Sequence, residues 1–178
     1  DNHPKYKGIE SAPELQKLLD TLSTTKLNGI DIISSDEPDK TKKTSSISTK
    51  LNFDKLANAK IAVVDDDVVV RDTMTSIFKT LKANVVTYPD AESFLKGFKE
   101  EKIDLIFLDV VLPGMTGLKC LERLHLMDCP IPVVILSSVS GRDNVIKAFE
   151  RGAKQYLVKP IKSDLIIAKT MEILGGVL

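Results

Sequence analysis

Cysteine is scarce in this chain, with 2 in 178 residues. Cys120 and Cys129 show no CxxC spacing and no histidine partner, so they read as buried or half-buried free thiols and not as a disulfide or zinc site. An excess of charge of either sign is missing too. Lys plus Arg equals Asp plus Glu at 25 each, and the balance holds by segment, with 9 of each sign over residues 1–58 and 16 of each over 59–178. No basic stripe offers itself to nucleic acid, and no polybasic amphipathic helix offers itself to a membrane surface. The apolar runs are short and carry acids, so none is able to span a bilayer. The opening Asp1-Asn2-His3-Pro4-Lys5 contains no signal-peptide core. His3 and His125 lack a setting that suits a phosphate-donating histidine. These absences lead us to expect a soluble, cytoplasmic protein. A start at Asp1 without Met leads us to expect a trimmed form or a piece of a longer protein.

What is present is a pattern. Hydrophobic residues make up 43% of the chain, enough for one sizeable core. Five short hydrophobic runs alternate with helix-like segments, the sequence form of a parallel sheet covered by helices on both faces. Four of them stop at polar residues. Ile61 to Val64 ends at Asp65-Asp66-Asp67, and Ile103 to Leu108, interrupted by Asp104, ends at Asp109. Val133 to Leu136 ends at Ser137-Ser138, and Tyr156 to Val158 ends at Lys159-Pro160. In such sheets ligands sit at the carboxyl ends of the strands, so all four polar groups fall on one edge.

The residue types on that edge suit phosphoryl chemistry. Asp65, Asp66 and Asp109 repel one another unless a hard divalent cation lies between them, and Mg2+ or Mn2+ takes oxygen ligands of this kind. With the charge balanced, a carboxylate is able to attack phosphorus and become an acyl phosphate. Lys159 would neutralise phosphoryl oxygens as a point charge, and the Ser137 hydroxyl would donate a hydrogen bond to another. Asp67 stands where a helix should begin and is suited to cap it.

This ordered set resembles the receiver domains of two-component response regulators. The resemblance rests on Asp65-Asp66, Asp109, Ser137 and Lys159-Pro160, on Pro113 and Gly117 at four-residue steps after Asp109, and on Tyr156 three residues before Lys159. It covers about residues 59–178, and it implies a doubly wound five-stranded sheet of order 2-1-3-4-5. It further implies that Asp109 is the phosphoryl acceptor, and that Asp65, Asp66, Asp109 and the backbone carbonyl of Val111 hold the metal. By the same resemblance Ser137 and Tyr156 are switch residues, Lys159 senses the phosphate, and the bond before Pro160 is cis. The implied phosphoryl donor is a sensor histidine kinase or a histidine phosphotransfer protein. Val111 and Val139, two positions past Asp109 and Ser137, resemble side chains that line the approach to the acyl phosphate. Two valines cannot orient a water, so slow self-hydrolysis is expected.

Helical spacing predicts a first helix through Val70, Met74, Ile77, Phe78 and Leu81, and further helices over 90–100, 118–127, 142–151 and 163–174. The last is apolar around most of its circumference. With Leu165, Ile167, Ala168, Met171 and Leu174 facing the sheet, Ile166 and Ile173 are expected to project elsewhere, either partly buried by neighbouring side chains or in contact with a homodimer partner, an output protein or domain, or the amino-terminal extension. In that extension, residues 1–33, Ser11-Ala12-Pro13-Glu14 reads as a capping box before a short amphipathic helix over about 13–23. Asn28-Gly29 precedes a possible strand over 30–33, and residues 34–58 read as a polar, flexible linker. Gly175-Gly176 reads as a helix stop, with a connector to an output domain or a natural end beyond it.

Two other functions stay open. Asp65-x-Asp67-x-Val69 superficially fits the nucleophile motif of haloacid-dehalogenase-like Mg2+-dependent phosphohydrolases. That family also wants an acidic pair after its lysine, and only Asp164 and Glu172 remain, while Asp109, Pro113 and Gly117 go unexplained. The second is a receiver-like interaction module that never turns over phosphate.

Overall fold

The computed structural model describes residues 56–139 and 141–175. The amphipathic helix expected over 13–23, the strand over 30–33 and most of the linker over 34–58 lie outside the described residues. Five strands form one sheet: β1 Lys60–Val64, β2 Asn84–Tyr88, β3 Leu105–Asp109, β4 Val133–Ser137 and β5 Gln155–Val158. The helices are α1 Val68–Thr80, α2 Ala91–Gly97, α3 Gly117–Leu126, α4 Arg142–Glu150 and α5 Ser163–Gly175. Every pairing is parallel and the strand order is β2-β1-β3-β4-β5, the doubly wound sheet that was expected.

The central strands are apolar throughout because both of their faces are covered. Successive side chains point to opposite faces. Ile61, Val63, Leu105, Phe107, Val134 and Leu136 meet α1 and α5, while Ala62, Val64, Ile106, Leu108, Val133 and Ile135 meet α2, α3 and α4. On the first face the Phe78 and Phe107 rings lie 5.6 Å apart. On the second Phe94 lies between Tyr88 and Phe98, each at 5.3 Å. Full burial stabilises such a side chain by about 1.5–3 kcal/mol. The Asp67 cap on α1, whose Oδ1 accepts the Val69 N–H at 2.8 Å, contributes about 1 kcal/mol. The core therefore decides that the helices exist, and caps such as Asp67, Asp90 and Thr116 decide where they begin.

Two expectations are corrected. Ile166 does not project from α5: it is 2% exposed and sits with Ile167 in the first core cluster, and Ile173 packs partly buried against the same cluster. The exposed large apolar residue of α5 is Leu165, at 42%. A helix that is apolar almost all round has no strong preferred rotation from its own sequence. Packing turns Ile166, Ile167 and the fully buried Thr170 inward, with the Thr170 hydroxyl donating to the Ile166 carbonyl at 2.7 Å. The second correction is at the linker's end. Residues 56–58 are helical and Leu56 is fully buried in the first cluster, so the folded unit begins before residue 59.

Both cysteines are free. Burial pushes the Cys120 thiol up to about 12, which leaves it protonated and inert, while Cys129 is half-buried. Among the described residues no helix is long and apolar enough to cross a membrane.

Candidate functional site

The strand order reverses between β1 and β3, which marks the crevice where such sheets take ligands. Asp65 follows β1 and Asp109 ends β3, one on each side of that reversal. Together with Asp66 they offer carboxylate oxygens that all lie within 4.8 Å of one another. Asp65 is fully buried and Asp109 is 5% exposed, while Asp66 is exposed and opens the cluster to solvent.

Lys159, entering from the end of β5, bridges the two buried acids. Its Nζ donates to Asp65 Oδ2 at 2.6 Å and to Asp109 Oδ2 at 2.8 Å. Burial holds the Asp65 carboxyl above the usual carboxylate range, against the pull of the Lys159 ammonium. Burial also opposes the charge on Lys159, but the hydrogen bonds and charges of Asp109 and Asp65 outweigh it and hold the ammonium above the ordinary lysine value. The remaining carboxylate oxygens face main-chain donors. Asp65 Oδ1 accepts the Asp67 N–H at 3.0 Å, and Asp109 Oδ1 accepts the Val111 N–H at 3.3 Å. Three carboxylates this close, two of them desolvated, form an all-oxygen donor set that fits a hard divalent cation.

Ser137 and Tyr156 are joined through one residue. The Val139 N–H donates to the buried Ser137 Oγ at 3.0 Å, and the Tyr156 hydroxyl donates to the Val139 carbonyl at 2.7 Å. The Lys159 N–H donates to the Ser137 carbonyl at 2.7 Å, which ties β4 and β5 together beside the acids. The Lys159–Pro160 peptide bond is cis. Val111 and Val139 are exposed at this edge, at 53% and 38%.

The loop after Asp109 needs glycine at two places. A Cβ on Gly117 would lie 1.8 Å from the Asp109 carbonyl oxygen, so no side chain fits there. Gly114 has φ +71°, in the left-handed region, and a Cβ there would lie 2.8 Å from Glu92 Oε1. Glu92 also accepts the Met115 N–H at 3.0 Å. The Arg71 guanidinium donates to the Asp65 carbonyl at 2.6 Å and the Asp66 carbonyl at 2.9 Å. Sequence reasoning found neither Glu92 nor Arg71. The contact of Glu92 spans 23 residues and leaves no local signal, whereas Arg71, one helical turn past the Asp67 cap, could have been suspected from its spacing.

The chain matches the sequence model of the response regulator receiver domain over residues 61–171 and belongs to that family. It is 30% identical over 110 residues to the DNA-binding response regulator MtrA of Mycobacterium tuberculosis, covering 62% of this chain and 48% of that protein. It is 28% identical over 108 residues to the transcriptional regulatory protein FixJ of Bradyrhizobium diazoefficiens, covering 61% and 53%. The chain thus spans about half the length of these curated relatives. Among solved structures it resembles the BeF3-activated N-terminal receiver domain of Klebsiella pneumoniae RstA, with TM-score 0.61 and 29% identity, covering 65% of this chain and 97% of that one. A CheY-like receiver from Methanospirillum hungatei shares the fold at TM-score 0.64 and 24% identity, covering 67% and 95%. The chain is accordingly a signalling domain. The haloacid-dehalogenase reading is not favoured, because the acids it would need are engaged locally. Asp67 caps α1, Glu172 is engaged on α5 with Lys169 at 2.6 Å, and Asp164 accepts the Leu165 N–H there at 2.9 Å.

Proposed function

We propose that this receiver takes a phosphoryl group onto Asp109 from a phosphohistidine, carried by a sensor histidine kinase or a histidine phosphotransfer protein. The observation that carries this reading is Lys159 Nζ bridging Asp65 and Asp109 at 2.6 and 2.8 Å, beside the exposed Asp66. An Asp109 carboxylate oxygen attacks phosphorus, the phosphorus–nitrogen bond of the donor breaks, and its electron pair returns to the imidazole. The product is an acyl phosphate. Lys159 then exchanges part of its contact with Asp109 for a phosphoryl oxygen, and the Ser137 hydroxyl turns to donate to another. Asp65, Asp66, Asp109 and the Val111 carbonyl would hold Mg2+ or Mn2+, which when bound neutralises the acids and the charge of the incoming phosphoryl group. Reorienting the Ser137 hydroxyl disturbs its bond from the Val139 N–H, and Val139 in turn accepts from Tyr156. That three-residue chain gives phosphorylation a route to the surface made by α4, β5 and α5, where a downstream partner or a second copy would read it.

The valines at 111 and 139 present no polar side chain to orient a water on the acyl phosphate, so self-hydrolysis is slow. The chain's own activity is then one stoichiometric self-phosphorylation followed by slow loss. The test is incubation with acetyl phosphate and Mg2+, followed by intact mass and its decay. The unmodified chain should gain one hydroxylamine-labile phosphoryl group that persists for many minutes, and Asp109→Asn should gain none. Failure of the unmodified chain to label under any donor would leave the non-catalytic interaction module as the better reading.

A further inference from the structure

The turn that carries Asp65 and Asp66 belongs to no regular element, since β1 ends at Val64 and α1 begins at Val68. Its orientation nonetheless decides where two of the three carboxylates point. The hydrogen-bond ladder of α1 reaches back only to the Asp67 carbonyl, which accepts the Arg71 N–H at 3.1 Å. The two carbonyls before it are taken by the side chain of the same residue, with Nη1 of Arg71 at 2.6 Å from the Asp65 oxygen and 2.9 Å from the Asp66 oxygen. One half-buried guanidinium therefore fixes two consecutive peptide planes. Bonds from a cation are stronger and shorter than neutral ones, and a planar guanidinium holds its direction better than an ammonium does.

We infer that Arg71 is a positioning residue for the acidic cluster: by holding the Asp65 and Asp66 carbonyls from α1, it aims both carboxylates at the common point they share with Asp109. It works on the main chain, whereas Lys159 bridges the carboxylates themselves. The inference rests on the metal reading given above, and it makes a prediction whose sign separates geometry from charge. As a bare positive charge near three acids, Arg71 would repel a divalent cation, and its removal would tighten binding. As a positioning group, its removal lets the turn relax and weakens binding, by about tenfold on the scale of outer-shell groups that orient metal ligands.

The experiment titrates Mg2+ alone into the full chain by calorimetry, for the unmodified protein, Arg71→Met, Arg71→Gln and Arg71→Lys. Melting curves in a chelator establish that each variant is folded. Arg71→Met should bind about tenfold more weakly. Arg71→Lys and Arg71→Gln, each keeping one donor nitrogen but not the rigid planar guanidinium that sets its direction, should fall between, and they carry the test if the Met variant does not fold. Labelling by acetyl phosphate should slow at low Mg2+ and recover at saturating Mg2+. Variants that bind Mg2+ as tightly as the unmodified chain, or more tightly, overturn the inference alone. No binding by the unmodified chain overturns the metal reading and the inference with it.

Discussion

Replacing Lys159 by methionine keeps most of the side-chain volume and removes the cation that the two buried acids share. Asp65 and Asp109 then face each other with side-chain exposures of 0% and 6% and no counter-charge at 2.6 and 2.8 Å. Removing one partner of a buried pair costs about 3–5 kcal/mol. The lower end applies here, because Asp66 opens the cluster to water and Asp65 is able to take up a proton. At roughly 4 °C per kcal/mol for a domain of this size, the melting temperature at neutral pH should fall by about 10 °C. The sign of the pH dependence follows from burial. Asp65 already titrates above its ordinary 3.8, and loss of the lysine raises it further. Between 3.8 and the folded value the native state binds more protons than the unfolded chain, so stability falls as pH rises through that window. Lys159 in the unmodified protein behaves differently. Its folded value lies above 10.5, so its contribution is complete below 10.5 and is lost only as pH rises through the folded value. Urea melts begun at pH 3.8 and carried up through the folded Asp65 value should therefore show a gap between the two proteins that widens with pH. Millimolar Mg2+ should narrow it. A gap that is independent of both pH and Mg2+ would refute the picture of two acids held together by one cation.

Other perturbations probe separate parts of the account. Gly117→Ala forces the Asp109 carbonyl away from a Cβ that would otherwise lie at 1.8 Å, so it should cost about 1–3 kcal/mol in urea melts and reduce labelling at Asp109. Phe107→Ala empties the space beside Phe78 at the centre of the sheet and should cost about 3–5 kcal/mol by the same measurement. The Ser93 backbone N–H holds the Asp90 carboxyl below its ordinary 3.8, so its charged cap contributes fully above 3.8 and fades as pH falls through the folded value. Melts of the unmodified chain and Asp90→Asn should therefore converge toward acid pH. A thiol reagent should label half-buried Cys129 well before Cys120, whose thiol burial holds at about 12.

The parts legible in sequence are those where one physical demand leaves one residue pattern. Strands β1, β3 and β4 are buried on both faces, so they appear as unbroken apolar runs, and the acids and lysine that end the sheet's strands could be read from where each run stops. Strand β2 is different. Asn84-Val85-Val86-Thr87-Tyr88 lies at the sheet's edge with two residues exposed, and its short mixed pattern specified no boundary. The rotation of α5 was misread because nearly every face of that helix is apolar, so tertiary packing had to choose among rotations that its own residues leave nearly equivalent. Leu56 was assigned to a linker because one leucine in a polar stretch carries no period. Contacts such as Arg71 to the Asp65 carbonyl or Glu92 to the Met115 N–H join side chains to main chain, and main-chain acceptors have no letter in a sequence.

Everything proposed for this site depends on Asp109 being the residue that becomes phosphorylated. An acyl phosphate on an aspartate is reduced by borohydride to homoserine, so trapping after exposure to acetyl phosphate and Mg2+, followed by peptide sequencing, locates the modified position directly. Homoserine is expected in place of Asp109, with Asp65 and Asp66 unchanged. Homoserine at Asp65 or Asp66, or full labelling that survives Asp109→Asn, would contradict it.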